Sequence, residues 1–212
     1  LVFKFWGTGH DDLFTGEFSG QFGDCFVQND HECVPPVFTR FKSYAWLRKD
    51  FERRLAIALW IFGKSIVIRD PDDTFVSILT EYRSVFERRL LETMRYKYVE
   101  FRSDRHNLRQ TVSHQDMMAC ALLKASIVKL AAELAFLSTG QPYPYKKWLI
   151  HEVEKLEEGP VLLNIAKRFI DAVDLDQTIA ISEELVMHTN DFLSQRTRLS
   201  PNLFSEWWLH LD

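Results

Sequence analysis

The stretch SHQDMMACALLKASIVKLAAELAFL, residues 113–137, decides the fold predicted for this chain. Its apolar residues recur at helical spacing on two faces. One seam is Leu123, Ile127, Leu130, Leu134 and Leu137, and the other is Met117, Ala121, Ala125, Val128 and Ala132. A helix that is apolar nearly all round belongs at the centre of a bundle, because each of its faces must be buried.

Amphipathic patterns on both sides of this stretch predict the surrounding helices. From Ser43 an apolar stripe predicts a first helix that ends at a Gly63 cap, and a second helix is predicted to reach about Phe101. A cap at Ser113 or His114 would then begin the central helix. The stripes are Leu47, Phe51, Leu55, Leu59 and Phe62 in the first helix, and Leu79, Tyr82, Phe86, Leu90 and Met94 in the second.

Further helices are predicted after the central one, over residues 146–157, 160–173 and 176–196, with one short helix in PNLFSEWWLHL, residues 201–211. Pro160 suits the first turn of its helix. Long elements are expected throughout, because the chain has only 8 glycines and 7 prolines among 212 residues.

The N-terminal part has a different character. Residues 1–42 hold five of the eight glycines, and CFVQ (25–28) and PVFTRF (36–41) are typical of strands. Pro35 and Pro36 prevent a helix there. We therefore predict a mainly α protein: an up-and-down helical bundle over residues 43–212, preceded by a small β-containing segment over residues 1–42.

Composition narrows the class of protein. No apolar run approaches the roughly 18 residues of a membrane helix, and the start shows no signal-peptide pattern. Three cysteines without a CxxC pair favour a reducing, cytoplasmic compartment. The chain lacks an initiator Met, so we expect residues upstream of Leu1. Residues 38–109 carry 16 lysines and arginines against 10 acidic residues, a basic segment between acidic flanks. It could face phosphates or pair with those flanks.

Two acidic motifs favour structural roles. IRDPDD, residues 68–73, is typical of a turn at Asp70-Pro71 followed by a helix cap at Asp73 or Thr74. DHEC, residues 30–33, contains metal-competent side chains, but neighbouring residues of a strand point to opposite faces. We therefore predict no metal site there.

The segment STGQPYPYKKWLIHE, residues 138–152, interrupts the helical pattern. Gly140 suits a helix cap, the prolines an extended corner, and Trp148 a place in the bundle. These structural roles do not explain four residues of the segment: Tyr143, Tyr145, Lys146 and Lys147. Lysines can neutralise phosphate oxygens and tyrosines can stack on a base, so these four are the predicted nucleotide-binding or substrate-binding residues. The alternative is that the segment is only a corner between two helices.

Three stretches resemble bacterial nucleotidyltransferase-like proteins: SYAWLRKDFERRL (43–55), WIFGKSIVIRDPDDTF (60–75) and AELAFLSTGQPYPYKKWLIHEVEKL (132–156). The similarity is to the C-terminal helical, substrate-side domain that follows the catalytic domain. It spans roughly residues 43–175. The helical bundle of kanamycin-type nucleotidyltransferases is a more distant relative in architecture.

The resemblance implies metal-dependent transfer of a nucleoside monophosphate from a nucleoside triphosphate to a hydroxyl. It implies Mg²⁺, which several carboxylates must hold, and a triphosphate met by Lys146 and Lys147, with Tyr143 and Tyr145 lining the pocket. The family's Gly-Ser turn and Asp-x-Asp strand are missing. GTGHDD, residues 7–12, has the wrong spacing. If the N-terminal strands end a catalytic domain, Asp24 or Glu32 is the candidate third carboxylate.

Two other classes of function stay open. Some helical domains that accompany nucleotidyltransferases cleave RNA with an Arg and a His at the spacing of Arg109 and His114. A non-catalytic interaction or dimerisation module would account for the missing catalytic motif and for Trp207-Trp208 near the end. Exposed tryptophans would indicate a partner or homodimer surface, and buried ones would close the bundle, which we expect. No membrane partner is expected.

Overall fold

The protein is mainly helical. A computed structural model describes the backbone of residues 3–4, 25–28 and 37–40, and both backbone and side chains of residues 43–211. The strands are β1 (Phe3–Lys4), β2 (Cys25–Gln28), β3 (Val37–Arg40) and β4 (Ile66–Val67). The helices are α1 (Tyr44–Arg53), α2 (Leu55–Gly63), α3 (Thr74–Ser113), α4 (Met117–Ser138), α5 (Lys146–Val153), α6 (Gly159–Asp171), α7 (Leu175–Arg196), α8 (Pro201–Ser205) and a 3₁₀ helix (Trp207–His210). The predicted fold class is confirmed.

The strands form two antiparallel pairs. β2 pairs with β3, with Cys25 opposite Arg40, and β1 pairs with β4, with Phe3 opposite Val67. The predicted strands in CFVQ and PVFTRF are therefore present.

The chain divides into two compact units, Leu1–Val85 and Phe86–Asp212, and α3 runs through the boundary. The boundary predicted after residue 42 stays a prediction, because most of residues 1–42 lie outside the described residues.

In the first unit, aromatic side chains form the core. Phe51 stacks on Tyr82 with ring centroids 4.6 Å apart and lies 5.5 Å from the ring of Phe62. Leu47, Phe51, Leu59 and Phe62 are buried, so the predicted apolar stripe does face a core.

The single first helix predicted from that stripe is wrong in detail. The backbone leaves the helical region at Arg54 (φ −151°, ψ 58°), which separates α1 from α2, and the Arg54 side chain returns to Asp50 at 2.8 Å. Gly63 is the last residue of α2 and the cap is Lys64, so the predicted Gly63 cap is also wrong. Ser43 begins α1 as expected, since its hydroxyl accepts a hydrogen bond from Trp46 N.

The start of α3 is capped by Asp70. Its carboxylate accepts from Phe75 N at 2.9 Å and from Val76 N at 3.1 Å, and Tyr44 Oη donates to it at 3.3 Å. The prediction placed the cap at Asp73 or Thr74, but Asp73 adopts φ 50° and the capping oxygen comes from the turn before it. The predicted turn at Asp70-Pro71 is thus present and also supplies the cap.

In the second unit, α4 is the central helix and packs against α5, α6 and α7. Every residue from Leu130 to Ser138 is buried. Lys124, also buried, donates to the carbonyl oxygen of Ala172 at 2.6 Å and so ties α4 to the end of α6. The first seam is buried from Ile127 onward, as predicted.

The second predicted seam of α4 is only partly buried. Ala132 is in the core, but Met117, Ala121 and Ala125 are exposed. In the first two turns of α4, Cys120 and Lys124 are buried while the second seam is exposed, so only the later turns are buried on every side. Within the described residues, no helix combines the length and the apolarity that a membrane crossing requires.

Several helix ends differ from the prediction. α3 continues to Ser113 rather than Phe101. Its buried face extends through Phe101, Arg105 and Leu108, and the arginine interrupts the apolar pattern there. The cap of α4 is Asp116, which accepts from Ala119 N at 3.0 Å, and not Ser113 or His114. α5 ends at Val153 rather than 157, and the predicted single helix in the tail is split into α8 and the 3₁₀ helix. α6 and α7 agree with the prediction within two residues, and Pro160 lies in the first turn of α6.

Replacement of Asp70 by Ala should remove the cap of α3 and lower the melting temperature by roughly 2–4 °C at pH 7. Burial raises the pKa of Asp70, but hydrogen bonds from Val76 N, Phe75 N and Tyr44 outweigh it, so the pKa lies below its ordinary value. A carboxyl with a lowered pKa stabilises the fold above its unfolded pKa, and the contribution disappears as the pH falls through the folded value. Melting curves of both proteins should therefore converge in acid. Asp72→Ala, in the same turn, is the control, and an equal loss in that variant would contradict the assignment.

Candidate functional site

The segment between α4 and α5 begins with a glycine cap. Gly140 adopts φ +73°, its N–H donates to Leu137 O at 2.9 Å, and Gln141 N donates to Phe136 O at 3.1 Å. This pair of bonds closes the C-terminal end of α4 in the left-handed conformation that glycine favours. The prediction that Gly140 caps the central helix is confirmed.

The following residues turn the chain into α5. Pro144 is buried and Tyr145 is extended (φ −60°, ψ 144°), so that α5 begins at Lys146. Trp148 is half-buried rather than in the core, and its ring lies 6.4 Å from His151 and 5.3 Å from the ammonium of Lys147. The corner is therefore built as predicted, with the tryptophan at the edge of the bundle.

The four predicted binding residues do not share one environment. Tyr145, Lys146 and Lys147 are exposed at the start of α5. Tyr143 is half-buried, and its ring lies 4.8 Å from Lys97 Nζ of α3. The structure thus leaves three of the four available to a ligand and uses the fourth inside the protein.

Tyr143 belongs to a charged cluster that the sequence prediction missed. Lys97 Nζ donates to Glu133 Oε2 at 2.5 Å, and Lys129 Nζ lies 3.2 Å from Glu133 Oε1. The side chain of Glu133 is 5% exposed and that of Lys97 is 16% exposed. The available signal was Glu133 itself, because a carboxylate among the apolar residues of the central helix must find a partner.

The cluster sets the protonation of Lys97 and Tyr143. Burial lowers the pKa of Lys97, but the attraction of Glu133, with that of Tyr143, outweighs it, so the pKa is raised. Burial also raises the pKa of Tyr143, and the charge of Lys97 opposes this only in part. At neutral pH Lys97 is an ammonium and Tyr143 a neutral phenol, which excludes Tyr143 as a phenolate base.

The start of α5 concentrates positive charge. Tyr145, at the cap position, gives no side-chain hydrogen bond, and the first turn contains no acidic residue. Within residues 43–211, neither Lys146 nor Lys147 lies in an ion pair. The first N–H groups of a helix and its dipole favour anions, and two lysines add to that preference. The arrangement can bind an anion, and Tyr145 adds an exposed aromatic face.

The resemblance implies Mg²⁺, but the described residues do not suit it. Among them no group of three or more His, Cys, Asp or Glu could hold a metal ion. Glu133 is already paired with two lysines. Asp24, Glu32 and the GTGHDD stretch lie outside the described residues.

The residues singled out for the other functions are also placed. Arg109 Nη2 donates to Glu183 Oε1 at 2.9 Å, and His114 lies exposed in the turn between α3 and α4. The RNA-cleaving pair stays a prediction.

Trp207 is buried and Trp208 is 53% exposed, so the expectation that both close the bundle is confirmed for Trp207 alone.

Comparison with known proteins gives two similarities. The family described as Domain of unknown function (DUF4037) matches residues 56–149, less than half of the chain, in a range that includes Lys97, Glu133 and Tyr143 to Lys147. The chain is also similar to the crystal structure of a nucleotidyltransferase-like protein from Exiguobacterium sibiricum 255-15, with 15% identity and a TM-score of 0.44. The alignment covers 81% of this chain and 61% of that one. No curated protein matches the sequence.

The solved structure has the same general description as the resemblance found in the sequence, nucleotidyltransferase-like. At this identity and score the likeness assigns no activity to this chain. The C-terminal domain assignment and the kanamycin-type relationship stay predictions.

A double-mutant cycle should show that Lys97 and Glu133 depend on each other. Glu133→Gln leaves Lys97 buried without its counter-charge and should lower the free energy of unfolding by about 3 kcal/mol. Lys97→Met should cost less, because Lys129 still pairs with Glu133. The free energy of unfolding is measured by urea unfolding. Its loss in the double variant should be smaller than the sum of the two single-variant losses by at least about 2 kcal/mol. Lys129→Met is the control, expected within about 1 kcal/mol because its side chain is 46% exposed. If the loss in the double variant equals the sum of the two single-variant losses, Lys97 and Glu133 are not coupled.

Proposed function

We propose that residues 43–212 form the helical, substrate-side portion of a nucleotidyltransferase-like protein. The complete protein would transfer a nucleoside monophosphate from a triphosphate to a hydroxyl group. The observation that carries the proposal is the start of α5, which has no side-chain cap and begins with Lys146 and Lys147 beside the exposed Tyr145. Neither lysine lies in a described ion pair. This is a surface with the charge for phosphates and an aromatic face for a base.

In this proposal each residue of the segment has a separate task. Lys146 and Lys147 neutralise oxygens of the triphosphate as mobile point charges, and backbone N–H groups of the first turn donate to the same anion. Tyr145, which is 42% exposed, stacks on the base. Tyr143 acts from inside: its contact with Lys97, which Glu133 fixes, holds the loop against α3 and α4.

In this proposal, residues other than those that the structure describes carry out the nucleotidyl transfer itself. Mg²⁺, when bound, would neutralise charge on the attacked phosphate, and its carboxylate ligands would come from the catalytic domain. The candidates in this chain are Asp24 and Glu32.

Titration calorimetry with ATP and Mg²⁺ tests the proposal. The protein should bind, and Lys146→Ala with Lys147→Ala should weaken binding by about tenfold or more, because each lysine contributes a charge-assisted hydrogen bond. Tyr145→Ala should weaken binding of ATP more than binding of triphosphate alone, since only ATP has a base to stack.

The matched control is Lys167→Ala, an exposed lysine of α6 that should leave the affinity unchanged. An affinity that is absent in the protein, or equal in the double variant and the control, would end the assignment of this loop.

An interaction or dimerisation module is the second candidate, and exposed apolar side chains favour it. Trp208 is 53% exposed, and Met117 and Met118 at the start of α4 are 56% and 75% exposed. A contiguous surface formed by such side chains would be typical of one that another protein covers.

This second function predicts a concentration-dependent dimer in light scattering. Trp208→Ser or Met118→Ser should weaken self-association, because each removes apolar area that the dimer would bury. Val173→Ser, another exposed apolar position, is the control. A mass equal to one chain at all concentrations would exclude a homodimer.

A further inference from the structure

A second concentration of positive charge lies on α3, away from the loop after α4. Arg102, Arg105 and Arg109 are spaced by three and four residues, so they share one face of the helix. At a rise of about 1.5 Å per residue, they follow one another at roughly 4.5 Å and 6 Å along the axis. We call these three residues the arginine stripe.

Among the described residues, the hydrogen-bond acceptors of Arg102, at one end of the stripe, are neutral. Arg102 Nη1 donates to Tyr98 Oη at 2.8 Å and to the carbonyl oxygen of Phe204 at 3.1 Å, and Tyr98 Oη donates in turn to Asn190 Oδ1 at 2.7 Å. The Nε of Arg102 is buried, and within residues 43–211 it has no hydrogen-bond partner. The Arg102 guanidinium is thus held in place without a carboxylate.

At the other end of the stripe, Arg105 and Arg109 share one carboxylate. Arg105 is buried, donates from Nε to Ser182 Oγ at 3.4 Å and forms an ion pair with Glu183. Arg109 donates to the same Glu183 at 2.9 Å. Among the described residues, Glu183 is the acidic side chain that contacts the stripe, so three positive charges face one negative charge.

This imbalance is costly where the groups are buried, because a guanidinium taken out of water needs counter-charge. Burial, reinforced by the positive charges of Arg109 and Arg102, lowers the pKa of Arg105 to about 10. The geometry carries the same conclusion, because Arg105 and Arg109 share the carboxylate of Glu183 and Arg102 donates to neutral acceptors. The stripe therefore has unused capacity for an anion.

A ligand can reach the stripe from solvent at the end that Arg109 occupies. The side chain of Arg109 is 55% exposed and that of Glu183 is 43% exposed, whereas that of Arg105 is 9% exposed. An oxyanion can approach from Arg109 and reach Arg105 by replacing the Glu183 carboxylate, which can turn to solvent. The planar fork of a guanidinium matches two phosphate oxygens at once.

We propose that the arginine stripe is a binding site for a phosphate monoester group, which accepts hydrogen bonds from Arg109 and Arg105 in place of Glu183. Two negative charges of the ligand would balance Arg105 and Arg109, which otherwise share the single carboxylate of Glu183. The site is built by α3 and α7, and its residues are separate from those of the loop between α4 and α5. It therefore stands or falls independently of the proposed nucleotide contact there.

Thermal unfolding of the full chain in inorganic phosphate, at constant ionic strength set with chloride, tests the site. The melting temperature should rise saturably, by about 3 °C at ten times the dissociation constant. Arg109→Gln, exposed and expected to fold, should weaken the phosphate response about tenfold or more. Glu183→Gln should melt lower than the parent in chloride and should bind phosphate more tightly, because the competing carboxylate is gone.

Two controls separate this site from others. Arg198→Gln removes an exposed arginine elsewhere and should keep the full response. The double variant Lys146→Ala, Lys147→Ala removes any phosphate bound at the start of α5, and the response that remains should still fall when Arg109→Gln is added. Comparison of inorganic phosphate with adenosine monophosphate distinguishes the sources: a stronger response to the ester indicates an organic phosphate, and an equal one indicates the free ion. No saturable response, a response unchanged in Arg109→Gln, or weaker binding in Glu183→Gln would overturn the proposal.

Discussion

Burial of the last turns of α4 is the constraint on which the second unit depends. From Leu130 to Ser138 every side chain is buried, with α5, α6 and α7 packed around it. One of these residues is Glu133, whose charge cannot remain unpaired in such a place. Lys97 of α3 and Lys129 of α4 supply the counter-charge. The apolar enclosure thus requires an ion pair, and the ion pair ties α3 to the central helix.

The same constraint shapes the loop after α4. Gly140 ends the helix, and the chain then passes Lys97, where Tyr143 packs against an ammonium already held by Glu133. Because Tyr143 is anchored, Tyr145, Lys146 and Lys147 reach solvent at the start of α5. A rigid inner contact therefore presents a cationic and aromatic outer surface. This division of tasks supports the proposed nucleotide contact.

Much of this could be predicted from the sequence, because periodicity and turn chemistry are local. The central helix, its Gly140 cap and Pro160 in the first turn of α6 follow from residue types that leave little conformational choice. Prediction was wrong where local signals compete. Arg54 breaks the first helix although no Gly or Pro marks the place, and Asp70 caps α3 from a turn that could equally have left Asp73 as the cap. The end of α3 was missed because Arg105 lies on its buried face between Phe101 and Leu108 and interrupts the apolar stripe.

The sequence by itself determined the helical class, the enclosed central helix and the corner that holds Tyr143 to Lys147, because spacing along a helix sets which residues share a face. Only the tertiary structure decided which residues of one helix pair with residues of another. Lys97 meets Glu133 over 36 positions, and Arg109 meets Glu183 over 74. Such contacts depend on how helices pack, and a charge pattern in one helix does not reveal its partner in another. For that reason Tyr143 could be named from the sequence, while the cluster that anchors it could not.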